Sequence, residues 1–153
     1  MFLRGALASG SGVSRYRGPA GFVGAGTAST GPLVFGRDDV FYAAMPLFHS
    51  SSLGLALVPA LVNGGALALA RRFSASGFLP DVRRFGATVF NYVGKPLAYI
   101  LATPERPDDA DNPLRVAVGA GATARQQQEF MRRFGVSQIV EMYGSTESGA
   151  TTV

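Results

Sequence analysis

The sequence predicts an α/β fold, with a mostly parallel sheet and helices on both faces. Short apolar segments alternate with segments of helical period from residue 38 onward. Strands that are apolar throughout, rather than at every second position, are typical of parallel strands covered on both sides. The chain has 153 residues, of which 47% are hydrophobic, and this is enough for one compact domain with a core.

Five strands are predicted from short runs of β-branched, aromatic and other apolar residues bounded by glycine, proline or polar residues. They are residues 40–45, 66–70, 88–93, 115–118 and 138–142. Pro46 stops the first strand, because proline cannot donate to a sheet ladder. Each connection is long enough for a crossover helix, so the strands are expected to run parallel.

The helix after the first strand is expected to begin at Ser50 or Ser51, because serine oxygens cap helix N-termini. It should continue to about Val62. Pro59 predicts a kink in it, and the Asn-Gly-Gly segment at 63–65 predicts its end.

The three later helices carry their own start and stop signals. Ser74 and Gly86 bound the second helix, Pro96 opens the third, and Thr123 and Gly135 bound the fourth. Apolar residues between these signals recur at spacings of three and four, which is the helical period.

Residues 1–37 are rich in glycine, serine, alanine and arginine and show no sustained period. We predict an irregular or poorly ordered segment there, with residues 2–8 as the tail of a helix and residues 38–153 as the folded domain. The Gly-Thr-Ala-Ser-Thr-Gly segment at 26–31 is similar to a phosphate-cradling loop. No lysine or arginine follows it directly, only Pro32, Leu33 and Val34, and no clear helix begins there, so it is not expected to bind phosphate.

Composition excludes several classes of function. The chain has no cysteine, hence no disulfide or thiolate metal site, and a cytoplasmic setting fits this. The net charge is +4, but the arginines are scattered in pairs, which indicates solvated surfaces rather than a nucleic-acid interface. Loose attraction to anionic substrates or lipid headgroups stays open, as does peripheral membrane association. No segment reads as a membrane span or a signal peptide.

Candidate functional residues collect where the predicted strands end. In open parallel sheets, ligands bind beyond the carboxyl ends of the strands. The segments that follow four of the strands combine glycines with polar side chains: residues 46–51, 92–95, 119–122 and 143–147. An aromatic ring, a close-approach glycine, a hydroxyl and a carboxylate follow the last strand. That set suits an adenine ring, a phosphate and a divalent metal.

Single motifs at this edge have plainer explanations. His49, the sole histidine, fits a boundary residue satisfied by a backbone carbonyl as well as a pocket residue. We do not expect His49 to activate Ser50 or Ser51 as a nucleophile, because side chains at adjacent positions rarely point at each other. Gly119-Ala120-Gly121 fits an ordinary turn, or a backbone lying flat against a planar ligand.

These segments resemble a known family. Residues 46–51 (Pro-Leu-Phe-His-Ser-Ser), 119–121 (Gly-Ala-Gly) and 143–147 (Tyr-Gly-Ser-Thr-Glu) are similar, in this order, to core motifs of the AMP-forming adenylating enzymes. Other segments are similar to its fatty-acid transport protein branch, the very-long-chain acyl-CoA synthetases: 71–76, 81–84, 87–94 and 139–141. The resemblance covers about residues 38–153 and implies part of the large, AMP-binding domain.

The resemblance implies three sets of site residues. The nucleotide would be bound by Gly119, Ala120, Gly121, Tyr143, Gly144, Ser145 and Thr146. The acyl pocket would be formed by His49, Ser50, Tyr92, Val93 and Gly94. Catalysis would depend on His49, Thr146 and Glu147, with Glu147 also as the ligand of Mg²⁺.

The implied reaction has two steps and takes a fatty acid, ATP, Mg²⁺ and CoA. The carboxylate of the fatty acid attacks the α-phosphate of ATP and releases pyrophosphate, and the CoA thiol then displaces AMP. Tyr143 would stack near the adenine, and Thr146 would contact the phosphate. Catalysis would come from positioning and charge stabilisation.

The chain also departs from the family pattern. The phosphate loop that ends in Pro-Lys is absent upstream, and the ribose-binding aspartate and the carboxy-terminal domain would lie beyond Val153. Lys95 stands where relatives often carry an acid, and Ala120 where they often carry asparagine. We therefore expect negligible ligase activity from this polypeptide alone, because cations that meet the departing pyrophosphate would be missing. The alternatives are a non-catalytic nucleotide- or acyl-binding remnant that docks on a partner supplying the missing halves, and an unrelated α/β domain.

Overall fold

The computed structural model describes residues 2–4, 35–144 and 151–152. Strands among these residues are β1 (Phe2–Arg4), β2 (Val40–Ala43), β3 (Ala66–Leu69), β4 (Val89–Val93), β5 (Val116–Ala120), β6 (Gln138–Glu141), β7 (Tyr143–Gly144) and β8 (Thr151–Thr152). The main sheet has the order β1-β3-β2-β4-β5-β6, and β7 pairs antiparallel with β8.

The predicted α/β architecture is confirmed. Strands β2 to β6 run parallel, and their ends lie within two residues of the predicted ones. Strand β5 extends through Gly119 and Ala120, which the sequence placed just after the strand. The antiparallel pair of β7 and β8 was not predicted, since two-residue strands carry too little pattern to be recognised.

The helical prediction for residues 2–8 is wrong at Phe2–Arg4, which form a strand antiparallel to β3. Phe2 lies opposite Ala68, and Arg4 lies opposite Ala66. At the end of a short helix, the backbone donors and acceptors of these residues would be unpaired. On the open edge of β3 they pair with the backbone of that strand.

Four helical segments connect the parallel strands. Segment α1 is continuous over residues 50–62, with α-helical Ser50–Ser52, π-helical Leu53–Leu57 and α-helical Val58–Val62. The others are α2 (Ala75–Phe85), α3 (Pro96–Leu101) and α4 (Ala124–Phe134). Within the described part of the chain, no helix is both long enough and apolar enough to cross a bilayer.

The predicted helix ends are confirmed for α2 and α4. Ser74 accepts a hydrogen bond from the Gly77 N–H at 3.1 Å at the start of α2. Thr123 and Gln126 form a reciprocal capping box at the start of α4. Gly86 and Gly135 end the two helices in the left-handed conformation, where glycine carries no steric penalty.

The sheet is covered on both faces. Helices α2, α3 and α4 pack on one face around an aromatic cluster made of Tyr42, Phe78, Phe90, Tyr92, Phe130 and Phe134. Segment α1 packs on the other face, against a smaller cluster that includes Phe41, Ala56, Ala60, Val89, Val118 and Val140. These two layers cover the sheet below the edge where the candidate site residues lie.

The arginine pairs were expected on solvated surfaces, and Arg132 fits this expectation. It forms exposed ion pairs with Glu105 and Glu129. Arg133 does not fit it, since its side chain is 4% exposed and pairs with Asp109, which is 3% exposed, at 2.6 Å. The loop after α3 wraps over the end of α4 and supplies the acceptors that make this burial possible.

Asp39 anchors the amino-terminal edge of the sheet. Its carboxylate accepts hydrogen bonds from the Arg115 guanidinium at 2.6 and 2.9 Å and from the Thr88 hydroxyl at 2.6 Å. The Gly36 N–H donates to it at 2.8 Å. The Arg115 guanidinium also lies 5.6 Å from the centroid of the buried Phe35 ring. Phe35 and Gly36 therefore pack against this edge of the sheet.

Asp39 predicts an acid-sensitive contribution to stability. Burial raises the pKa of its carboxyl, but hydrogen bonds from Arg115, Thr88 and Gly36 outweigh burial, and the pKa is lowered overall. A lowered pKa stabilises the fold above the unfolded value of about 3.9, and this contribution is lost as pH falls through the folded value. We expect Asp39→Asn to reduce the free energy of unfolding by about 2 kcal/mol at pH 7, with a shrinking difference below about pH 4. Urea unfolding across pH measures this.

The neighbouring Asp38 provides the matched control, because it is exposed. Asp38→Asn should leave the unfolding midpoint nearly unchanged at every pH. An equal loss for both variants would contradict the assignment to Asp39.

Candidate functional site

The parallel topology brings four predicted segments to one edge of the sheet. His49 follows β2, Gly94 follows β4, Ala120 ends β5, and Tyr143 follows β6. The register keeps these ends level, since Tyr92 lies opposite Gly119 and Gly119 lies opposite Glu141. Ser145, Thr146 and Glu147 lie outside the described residues.

His49, rather than Ser50 or Ser51, is the N-cap of α1. Its backbone is extended (φ −73°, ψ 130°), and its Nδ1 accepts the Ser51 N–H at 3.2 Å. Its Nδ1 is therefore paired with a backbone N–H, where the sequence suggested a backbone carbonyl as the partner. With Nδ1 as the acceptor, Nε2 carries the proton of the neutral ring, which makes it a hydrogen-bond donor.

A buried polar contact ties α1 to the sheet directly behind His49. The Asn91 amide donates to the Ser51 hydroxyl at 3.0 Å and to the Val118 carbonyl at 3.3 Å. Both side chains are buried, and their mutual hydrogen bonds satisfy them there. Sequence reasoning missed Asn91 as part of the site, although an amide in the middle of an apolar strand was the available signal.

Packing explains the two glycines of the Gly119-Ala120-Gly121 motif. A Cβ on Gly119 would lie 2.1 Å from the Tyr92 carbonyl oxygen and 2.7 Å from its ring. Gly121 has φ +96°, and a Cβ there would lie 3.0 Å from the Gly94 Cα. The absence of side chains is therefore required by neighbouring backbone, and the predicted contact with a planar ligand stays a prediction.

The ring of Tyr92 lies in the core, fully buried. Its hydroxyl donates to the Glu141 carboxylate at 2.5 Å. Burial, this hydrogen bond and the carboxylate charge raise the pKa of the Tyr92 phenol, so the hydroxyl stays a donor at neutral pH. The ring thus packs beneath the strand ends. The acyl pocket predicted from His49, Ser50, Tyr92, Val93 and Gly94 stays a prediction.

Glu141 gathers donors from the neighbouring strand ends. One carboxylate oxygen accepts the N–H groups of Gly121 and Ala122, the latter at 2.9 Å. The other accepts the Tyr92 hydroxyl and, at 3.4 Å, the Gln127 amide. Sequence reasoning did not include Glu141 in the site. The signal was an acid at the end of an otherwise apolar strand.

Two further side chains mark the rim of this edge. Phe48 is 89% exposed, the most exposed large apolar side chain in the described part of the chain. Lys95 is exposed at the start of α3. Among residues 35–142, no group of three or more acidic or histidine side chains could hold a metal ion. The predicted Mg²⁺ ligand, Glu147, lies outside the described residues.

The fold is similar to that of solved acid–CoA ligases. A benzoate CoA ligase from Burkholderia xenovorans LB400 has a TM-score of 0.73 and 27% identity, over 86% of this chain and 27% of that chain. A malonyl-CoA ligase, solved with methylmalonyl-CoA and AMP bound, has a TM-score of 0.66 and 25% identity, over 84% of this chain and 28% of that chain.

The chain belongs to the AMP-binding enzyme family, whose model matches residues 21–153. It is 55% identical over 118 residues to a steroid-22-oyl-CoA synthetase of Rhodococcus jostii, covering 76% of this chain and 21% of the relative. It is 53% identical over 125 residues to the medium/long-chain-fatty-acid–CoA ligase FadD17 of Mycobacterium marinum, covering 82% of this chain and 25% of the relative. A long-chain fatty acid transport protein 2 of Rattus norvegicus is 43% identical over 71% of this chain and 18% of its own length.

These findings confirm the family resemblance that the motifs predicted. The family match begins at residue 21, and the division of the chain at residue 38 stays a prediction. The chain spans a quarter or less of the length of these three relatives.

Proposed function

We propose that this chain forms the nucleotide- and acyl-binding edge of an AMP-forming fatty acyl-CoA ligase. The observation that carries the proposal is the convergence of four parallel strand ends, marked by His49, Gly94, Ala120 and Tyr143, in a member of the AMP-binding enzyme family. Relatives named as CoA synthetases and ligases support the reaction class.

The nucleotide half of the site comprises the ends of β5 and β6. Tyr143 and Gly144 would lie against the adenine, with Gly119–Gly121 along the purine and ribose. Ser145 and Thr146 would contact the phosphate, and Glu147 would hold Mg²⁺ against the triphosphate. The hydrogen bond of the Met142 N–H to the Gly119 carbonyl, at 2.6 Å, supports this grouping because it ties the two strand ends together.

The acyl half comprises the ends of β2 and β4. The Nε2–H of His49 is suited to meet the carboxylate of an acid substrate, and Ser50, Val93 and Gly94 would flank it. The exposed ring of Phe48 beside His49 favours a substrate with a large apolar group. A medium- or long-chain fatty acid, or a steroid acid, has this chemistry.

The proposed reaction depends on how the substrates are positioned relative to each other. The substrate carboxylate attacks the α-phosphorus of ATP, the bond to the leaving pyrophosphate breaks, and an acyl-adenylate forms. The CoA thiol then attacks the acyl carbon and releases AMP. The residues of this chain would hold the carboxylate in line with the α-phosphate, while Mg²⁺ would offset the charge of the departing pyrophosphate.

A cytoplasmic location with peripheral membrane contact is part of the proposal, since fatty acids partition into bilayers. Attraction between the net charge of +4 and anionic headgroups would favour that contact. The named fatty acid transport relative is consistent with a lipid substrate.

Nucleotide binding by the chain tests the proposal. Isothermal titration should detect AMP, and should detect ATP with an affinity that rises on addition of Mg²⁺. We expect Glu147→Gln to remove about a tenfold or greater gain from Mg²⁺ while AMP affinity changes little, because AMP binding needs no metal. Thr146→Val should weaken both nucleotides, since it removes a phosphate contact.

Glu129→Gln is the matched control, because it removes an exposed carboxylate on α4 that pairs with Arg132. It should leave both affinities unchanged. Failure of the wild-type chain to bind AMP or ATP would contradict the nucleotide half of the proposal. A pyrophosphate-release assay with fatty acid, ATP and Mg²⁺ then separates a working ligase from a binding module.

A further inference from the structure

The Glu141 carboxylate joins three neighbouring strand ends through hydrogen bonds. Its partners are the Tyr92 hydroxyl at the end of β4, the N–H groups of Gly121 and Ala122 after β5, and the Gln127 amide of α4. Hydrogen bonds to an ionised acceptor are shorter and stronger than neutral ones. This acid therefore restrains the whole turn between β5 and α4.

The turn needs such a restraint. Gly121 has φ +96°, and a Cβ built there would lie only 3.0 Å from the Gly94 Cα. Gly94 also has a positive φ, of 73°. Glycine at these positions leaves the unrestrained backbone many conformations of similar energy. Two backbone donors fixed on one carboxylate oxygen select a single conformation.

The same contacts change what the turn can bind. The N–H groups of Gly121 and Ala122 lie just before α4, where unpaired amides commonly hold a phosphate. Here an internal carboxylate already accepts both of them. A phosphate placed there would find neither of these two amides free and would meet a negative charge. The turn is left to receive an uncharged, planar group.

We propose that Glu141 is a positioning residue for the nucleotide: it fixes the turn at Gly119–Ala122 in the shape that accepts the purine and directs the phosphates away from it. The inference rests on the proposed nucleotide site. Glu141 itself touches the turn and not the nucleotide.

The test compares Glu141→Ala with Glu141→Gln in the full chain. The glutamine keeps an oxygen acceptor for both amides, and its NH₂ group can donate to the Tyr92 hydroxyl oxygen, whereas the alanine removes every contact. We expect Glu141→Ala to speed hydrogen exchange at the Gly121 and Ala122 amides about tenfold or more without nucleotide. The AMP dissociation constant should rise about tenfold in Glu141→Ala and stay within about threefold in Glu141→Gln.

The outcomes separate this inference from the proposed function. Unchanged exchange at both amides in Glu141→Ala overturns the restraint, whether or not the chain binds AMP. Faster exchange with unchanged AMP affinity overturns the positioning role. If the wild-type chain does not bind AMP, the proposed nucleotide site is wrong. The hydrogen-exchange data then still show whether Glu141 restrains the turn.

A second variant and a control complete the design. If Glu141→Ala does not fold, Glu141→Gln decides, because a neutral acceptor should still speed exchange at these two amides by a few fold. Unchanged exchange there overturns the inference. Glu129→Ala, on the outer side of α4, should change neither exchange at the turn nor AMP affinity.

Discussion

Asp109→Ala should destabilise the chain by about 3–5 kcal/mol, because it leaves a buried guanidinium without its counter-charge. The Asp109 carboxylate accepts the Arg133 Nε–H at 2.6 Å and the Arg106 N–H at 3.0 Å. Arg133 also donates to the Thr103 carbonyl at 2.9 Å and to the Pro104 carbonyl at 2.8 Å. These bonds fasten the loop after α3 to the end of α4.

Thermal and urea unfolding of the wild-type chain and of Asp109→Ala measure this loss. For a domain of this size, the expected loss corresponds to a fall in melting temperature of roughly 10 °C or more. Asp111→Ala is the matched control, since Asp111 is exposed two residues further on. It should change the free energy of unfolding by about 0.5 kcal/mol or less, which shifts the melting temperature by a degree or two at most. A similar small shift for Asp109→Ala would refute the structural role of the pair.

Gly119→Ala is expected to produce the second large effect, a loss of about 3 kcal/mol or more from overpacking. The new methyl group would lie 2.1 Å from the Tyr92 carbonyl oxygen, so the β4–β5 ladder would have to separate. Because β5 lies between β4 and β6, the distortion would reach the turn that Glu141 holds. AMP affinity should therefore fall in any folded fraction.

Gly36→Ala serves as the control, because no atom lies within 4 Å of a Cβ built there. Its unfolding midpoint should match that of the wild type. The double variant Gly119→Ala with Tyr92→Leu sharpens the test. It removes the ring but keeps the carbonyl, so stability should not be restored. Recovery in the double variant would show that the ring, not the backbone, excludes a side chain.

Local sequence signals predicted most of the fold. Proline, glycine and hydroxyl residues beside apolar runs marked helix ends correctly at Ser74, Gly86, Thr123 and Gly135. Each of these signals acts within a few residues, through a cap or a positive φ. The same reasoning failed at His49, where the imidazole and not a serine caps the helix. His49 was considered as a boundary residue or a pocket residue, but not as a helix cap.

The sequence predicted where the candidate site lies, but not the hydrogen bonds that connect its residues. Parallel strands with helical crossovers must end at one edge, so the grouping of His49, Gly94 and Gly119 followed from the strand pattern. The roles of Asn91 and Glu141 did not follow. Each depends on which strand lies beside which, and at what register.

The amino-acid sequence by itself determined the class of fold, the strands of the parallel sheet, the family and the edge where ligands are expected. Those properties depend on period, turn chemistry and short motifs, which are legible one segment at a time. Only the tertiary structure decided that Glu141 meets Tyr92, 49 residues away, and that Arg115 meets Asp39, 76 residues away. Contacts of that range exist because strand register and helix packing bring distant atoms within hydrogen-bond distance, and no local pattern encodes that placement.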